Sequence, residues 1–474
     1  VSRSCSAVLT VTSMCQKRLN TRHKFNDCWG GKPGTSQRIT DNSTHWLFSN
    51  PMSVQAPLLF IGYLIGLSWL LTRIRFFQKS EISKSQLILL YLLKIAAGIF
   101  YGWIGIYYGR TAHMTDTWFY HVGGLQEQSL LLENPGRFFS ELIIDPYEGG
   151  RWKLLGTHDS YWNDLKANAL LKGLALLNMI TGGHYNVNIL FYNFFGLFGS
   201  IAFYRVLVDR FPAQKIAVAL GTFLTPSVLF WTSGIHKEGI LFTALGMIVY
   251  SVYFSFKESA WTLRRISALI TGLILILIFR NHLLVALLPA LLVWAILNKK
   301  GKQLALTTSM VYTAFIFLFF LSSHLDPRID LPQAVATKQQ EFLQLKGKSS
   351  VQVDTLRPTP IGFLANLPQA IDLSLTRPHL ADVKHLLSLA AALEVIAWFL
   401  VFGIWLFYRD RNIAWPSKDI DYFFIGFSLS VTLLIGLSIN NIGAIARYRS
   451  IVTIPLFVPL LAQINWRKFI GSSS

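Results

Sequence analysis

Apolar runs of about 14 to 23 residues recur eleven times along the chain, at 54–71, 86–108, 186–207, 216–231, 240–256, 266–279, 283–297, 304–321, 386–408, 422–439 and 451–464. The hydrocarbon core of a bilayer takes about 20 residues of α-helix, and lipid offers no partner to a free backbone group, so these runs predict membrane-crossing helices. The expected fold is all-α, a polytopic bundle of 10 or 11 transmembrane helices. Only Arg280, Asn281 and His282 part the sixth run from the seventh. Two spans meeting in a tight hairpin near one surface cost less than one span with a buried charge.

The polar connections alternate in kind. One set carries Arg73, Arg75, Lys79 and Lys84, then Arg205, Arg210 and Lys215, then Lys257, Arg264 and Arg265, then Lys299, Lys300 and Lys302, then Arg409, Arg411 and Lys418, and finally Arg467 and Lys468. The short connections between them hold only Lys237, Arg280, Arg447 and Arg449. That bias, roughly four to one, assigns the first set to the cytoplasm. Two long connections, 109–185 and 322–385, then fall on the outer face. The first mixes Trp and Phe with acids and glycines, and stretches such as 136–144 predict short interfacial helices. The second is polar, with Gln and Pro. Both read as lids over the bundle.

Composition fits this solvent. With 52% hydrophobic and 14% charged residues and a mean hydropathy of +0.43, the chain is too apolar for an ordinary soluble domain. Its net charge of +19 is dispersed over segment ends rather than gathered into a stripe, so it reports orientation and not nucleic-acid binding. Cys5, Cys15 and Cys28 all precede the first run and lack metal-type spacing. Residues 1–51 are polar, basic and aperiodic, without a secretory h-region or cleavage site, and Met52 stands directly before the first run. They are expected to be a disordered tail or an upstream extension of the reading frame, leaving 52–470 as a single transmembrane domain.

Four mixed polar motifs stand out, all predicted on the outer side. Asp116 opens a run containing Tyr120 and His121. A carboxylate at the mouth of an apolar bundle is partly desolvated, which suits a general base, although a helix N-cap explains it equally well. His236, Lys237 and Glu238 follow Pro226 and Gly234, which break a helix where only a polar cavity satisfies the freed backbone. A solvated loop is the plainer reading. Arg280 and His282, and then Arg447 and Arg449, place cations against the orientation bias. A lipid phosphate or pyrophosphate would balance them, since Arg binds phosphate oxygens bidentately. Generic headgroup contact is the alternative. There is no P-loop, GxGxxG, HExxH or GxSxG. Aromatic residues such as Phe191, Tyr192 and Phe194 are read as packing or lipid-facing surface.

The layout resembles that of GT-C superfamily glycosyltransferases. The likeness rests on Asp116, Trp118 and Tyr120 opening the first long outer loop, on the interfacial helices there, on the run from Pro226 to Glu238, and on Ala446-Arg447-Tyr448-Arg449 near the end. The chain is also similar to uncharacterised bacterial membrane proteins of surface-polysaccharide loci, in which Arg377-Pro378 followed by Glu394 recurs. The resemblance implies an enzyme of the bacterial inner membrane that takes a sugar from a polyprenyl-phosphate donor and passes it to a lipid-linked glycan or other acceptor. Asp116 would be the catalytic carboxylate, and Lys237, Arg280, Arg447 and Arg449 would stabilise the departing phosphate. Tyr120, His121, His236, Glu238 and His282 complete the expected substrate-binding set.

One departure keeps Asp145, Glu148, Asp159 and Asp164 in reserve: the loop follows the second span rather than the first, and Asp116-Thr117 replaces a paired acidic motif. No acid-rich cluster calls for a cofactor, although a divalent metal stays open. An O-antigen or exopolysaccharide polymerase or ligase is one rival, in which Arg280, Arg357 and Arg447 would matter more than Asp116. A lipid or polysaccharide flippase is the other, and it would favour charges at span centres and inverted repeats.

Overall fold

The computed structural model describes residues 55–108, 116–145, 160–300, 304–325, 329–345 and 349–471. The cysteines, Met52, Glu148 and Asp159 lie outside them. Leu59–Ser474 form one compact unit, and of the unit before it only 55–58 are described, as the first turn of α1.

The longer helices run in chain order as α1 Gln55–Arg73, α2 Lys84–Tyr107, α3 Asp116–Glu133, α4 Pro135–Ser140, α5 Tyr161–Thr181, α6 Tyr185–Arg210, α7 Lys215–Phe223, α8 Pro226–Ser233 and α9 Lys237–Lys257. Then come α10 Leu263–Arg280, α11 Leu283–Lys300, α12 Leu304–Leu325, α13 Leu331–Gln344, α14 Pro360–Ile371, α15 Leu386–Tyr408, α16 Asp419–Ser438 and α17 Ile442–Leu461. Eight of these (α1, α2, α6, α9, α12, α15, α16 and α17) are long and apolar enough to cross a bilayer, and α7 and α8 would make a ninth as one span bent by 49°. The chain is therefore an all-α, multi-pass membrane protein. The bend falls where Pro226, the first residue of α8, lacks the N–H that a continuous helix would use. The helices α10 and α11, neither among those eight, meet at a turn over Asn281 and His282.

The bundle is built around α6, which packs against α9, while α9 in turn packs on α10. Backbones meet directly at the first crossing, since a Cβ on Gly246 would lie 2.7 Å from the Gly199 carbonyl oxygen. With no hydrophobic force between helices in lipid, such close packing of small residues is what holds them together. A second group, α11, α16 and α17, encloses Trp294, Phe423 and Phe427. Among its described residues the first long connection is largely helical: α3 and α5 pack as a pair, tied by buried Lys172 to Glu127 (2.7 Å) and to Glu141 (3.2 Å) just past α4.

The two ends of the bundle differ. At one end the basic closers interlock: Lys257 with Asp209, Arg210 with Asp421, Arg265 with Glu258, and Arg205 beneath Phe76, Tyr250 and Phe254. The mixed motifs gather at the other end. The last span starts earlier than its apolar run suggested, at Ile442, where Asn441 accepts from the Ala444 amide. Arg447 and Arg449 therefore ride inside α17 rather than in the loop before it. Each finds acceptors within the protein, so neither has to interrupt the helix.

Candidate functional site

Asp116 is the first residue of α3, where the positive end of the helix favours a carboxylate. The next turn is pinned by Thr117 Oγ1 to Tyr185 Oη (2.9 Å), by Trp118 Nε1 donating to the Gly102 carbonyl (2.8 Å), and by Trp118 stacked on Tyr185 at 4.3 Å. His236 lies at the end of the extended strap that follows α8, its carbonyl accepting from the buried Tyr192 hydroxyl. Glu238 sits in the first turn of α9, fully buried. Arg280 closes α10, and Arg447 comes from α17.

These five residues form one web. Arg447 Nη1 donates to Asp116 Oδ2 at 2.5 Å and lies 3.2 Å from His236 Nε2, which is itself 3.1 Å from Asp116 Oδ2. His236 Nδ1 meets Glu238 Oε2. Glu238 Oε1 accepts from Arg280 Nη2 at 2.5 Å and has Arg447 Nε at 3.7 Å. Tyr448 lies under both guanidinium groups, 3.9 Å from Arg280 and 5.1 Å from Arg447. Both partners of Asp116 occupy Oδ2, so Oδ1 has no hydrogen bond among the described residues. The Asp116 side chain is 43% exposed although His236 of the strap and Arg447 of α17 hold it, so it lines a recess rather than the outer surface.

Protonation follows from these contacts. Burial alone would raise the Asp116 pKa, but the His236 hydrogen bond and the Arg447 charge outweigh it and hold the carboxyl well below the usual range. Burial pushes the His236 imidazole down to about 4, against the pull of Asp116. A neutral ring with its proton on Nδ1 faces Glu238 and lets Nε2 accept from Arg447.

Around the web stands a second ring of cations. Lys237 lies 5.5 Å from the centre of the Tyr120 ring, which packs edge-on to His236. Lys237 is close enough to Lys166 of α5 and to Arg280 to be repelled by both. Burial first, then Lys338 and Arg280, lower the Lys166 pKa to about 8, while Glu341 and Asp164 offset part of this. Neither Lys166 nor Lys237 makes an ion pair among the described residues, whereas Lys338 of α13 pairs with Glu341 at 2.7 Å. His282 is pushed well below its ordinary value by burial and then by Arg280, Lys338 and Lys166. Beside this ring lies a small cavity of about 30 Å³, walled by Leu283, Leu434 and Ile435 and ending at Arg280, His282 and Tyr448.

The structure thus joins Asp116, Tyr120, His236, Lys237, Glu238, Arg280 and Arg447, with His282 at the edge. It leaves two expected residues apart. His121 is buried between Trp118 and Tyr185, and burial pushes its pKa down to about 4. Arg449 donates to the carbonyls of Ser374 and Arg377, both at 3.0 Å, and so binds the irregular turn after α14. Lys166 and Lys338 were not singled out from the sequence, Tyr192 was read as packing or lipid-facing surface, and Tyr448 was named only within the closing motif. A lysine on an amphipathic loop helix and a tyrosine in an aromatic run look the same whether or not they face a site. Among the described residues, no three His, Cys, Asp or Glu side chains are grouped to hold a metal ion. The chain matches no protein-family model, no curated protein and no solved structure.

Proposed function

We propose that the protein transfers a sugar from a polyprenyl-phosphate donor to a lipid-linked glycan or other acceptor at the extracytoplasmic face of a bacterial inner membrane. One observation carries this reading: an ionised carboxylate with one free oxygen stands in a recess ringed by more cations than the local acids neutralise. In the reaction the acceptor hydroxyl attacks the anomeric carbon, a new C–O bond forms, and the bond from that carbon to the donor phosphate oxygen breaks. Asp116 Oδ1 accepts a hydrogen bond from the attacking hydroxyl and orients it, Arg447 and His236 keep the carboxylate aimed, and the hydroxyl proton ends on the departing phosphate. Lys237 and Lys166 take up the charge of the departing phosphate.

The test is Asp116→Asn with a short-chain polyprenyl-phosphate sugar, read as transfer in proteoliposomes. Turnover should fall by about 10²- to 10⁴-fold with the donor still bound. A fully active variant removes this mechanism, and unchanged flux with altered glycan length would point to a polymerase.

One feature favours the flippase reading, namely a broken span flanked by intramembrane charges, Lys94 in α2 and Glu394 in α15. Both charges are taken up by the broken helix itself, as shown below. Lipid translocation that survives Asp116→Asn in a vesicle assay, with no transfer by the wild type, would establish that reading instead.

A further inference from the structure

The half-helix α8 is only eight residues long, and its two ends are held by side chains from three other spans. At its N-terminus, Glu394 of α15 accepts from the Ser227 amide (2.8 Å) and the Ser227 hydroxyl (2.7 Å), and Trp398 Nε1 lies 3.3 Å from the same carboxylate. The Ser227 amide is one of the first four N–H groups, which no intrahelical carbonyl can satisfy. At its C-terminus, Lys94 of α2 donates to Thr232 Oγ1 (3.0 Å) and Ser233 Oγ (3.2 Å), and Asn193 of α6 donates to the Ser233 carbonyl (2.9 Å). Gly98, one turn along α2, clears the space into which that carbonyl projects.

The signs of the two charges match the helix. An acid at the positive N-terminal end and a base at the negative C-terminal end both stabilise it, and a partly buried site with little water enlarges the effect. Lys94 is buried and has no ion pair among the described residues, so in lipid it would cost several kcal/mol unless the helix end received it. Three residues beyond Ser233 the chain reaches His236, whose carbonyl is held by Tyr192, and then Lys237 and Glu238.

We infer that Lys94 and Glu394 are positioning residues, a pair of opposite charges that clamp α8 end to end and so fix the strap that carries His236 and leads into Lys237 and Glu238 of α9. Glu394 holds the near end of a rigid eight-residue rod and Lys94 its far end, and the catalytic web begins where the rod stops. Neither residue touches the recess.

The test uses full-length protein in nanodiscs with Lys94→Met, Glu394→Gln and Lys94→Arg, read first by hydrogen-exchange mass spectrometry. Amide exchange over 226–238 should quicken by at least tenfold in the two neutral variants while α2, α6 and α16 keep wild-type rates, and Lys94→Arg should restore protection. Unchanged exchange over 226–238, or faster exchange spread evenly through the bundle, overturns the clamp. A second arm rests on the transferase reading: the neutral variants should lower kcat by about tenfold or more with KM for the donor within twofold. Equal loss in kcat and gain in KM, or wild-type kinetics in a variant with loosened 226–238, would leave the clamp structural and overturn its positioning role. Absence of transfer by the wild type would instead sink the transferase reading, and the exchange arm would still decide whether the clamp exists.

Discussion

Two sets of cations meet at the same end of the bundle, and they differ in what holds them. Arg280 and Arg447 face Glu238 and Asp116 at hydrogen-bond distance, and His236 bridges the two carboxylates. This set is electrically closed. Lys166 and Lys237 stand just outside, repelling one another and Arg280, with no ion pair among the described residues. Keeping them there costs energy in the empty protein, and an anion in the recess would release it. The difference separates two jobs that a list of basic residues merges: the closed set shapes the site, and the open set binds.

The comparison breaks most sharply at Glu238. Glu238→Gln removes the carboxylate from a fully buried position facing Arg280, Arg447 and His236, and leaves two guanidinium groups short of negative charge. Removing one partner of a buried pair typically costs about 3 to 5 kcal/mol. Thermal unfolding in detergent should therefore shift down by several degrees, with donor binding and turnover lost together. A stability equal to that of the wild type would mean that the web is not what holds this end of the bundle.

Lys237 should behave in the opposite way. Lys237→Ala removes no ion-pair partner and only a cation–π contact with Tyr120, a change of about 1 kcal/mol or less. Affinity for farnesyl phosphate should nevertheless fall by about tenfold to a hundredfold, the worth of a charge-assisted hydrogen bond to phosphate. Titration calorimetry beside a melting curve decides it. Wild-type affinity in a destabilised Lys237→Ala protein would place Lys237 in the closed set.

How much of this was legible in the sequence depends on cost. Asp116, His236, Glu238, Arg280 and Arg447 could be named because ionisable groups beside lipid are expensive and conspicuous in an apolar chain. All eleven apolar segments are helical, but only eight, or nine with the bent α7 and α8, are long and apolar enough to cross a bilayer, against the 10 or 11 expected. Arg449 shows the limit, because its acceptors are backbone carbonyls at Ser374 and Arg377, and no residue type announces an irregular turn. The start of α17 was misplaced because a charge was read as the end of a span, whereas here the protein interior supplies the counter-charge. Lys94 passed unnoticed since one lysine barely lowers the apolarity of a 24-residue helix. Its partner end is eight residues of another span, invisible until the chain is folded.

The smallest effect sharpens the same comparison through pH. Lys166 lies outside the spans, and burial together with Lys338 and Arg280 brings its pKa down to about 8. Below that value it is a cation and contributes to anion binding. Above it the ammonium loses its proton and the contribution disappears. A bound phosphate would raise the pKa, so affinity for farnesyl phosphate should start to weaken as pH passes about 8 and level off above the bound-state value, by a few-fold in all. Asp116 does not enter this window, since its carboxyl is held well below the usual range and stays ionised throughout. Lys166→Arg should flatten the profile between about pH 7.5 and 9.5, because a guanidinium does not titrate there. An unchanged profile in Lys166→Arg would assign the titration to another group and would remove Lys166 from the open set.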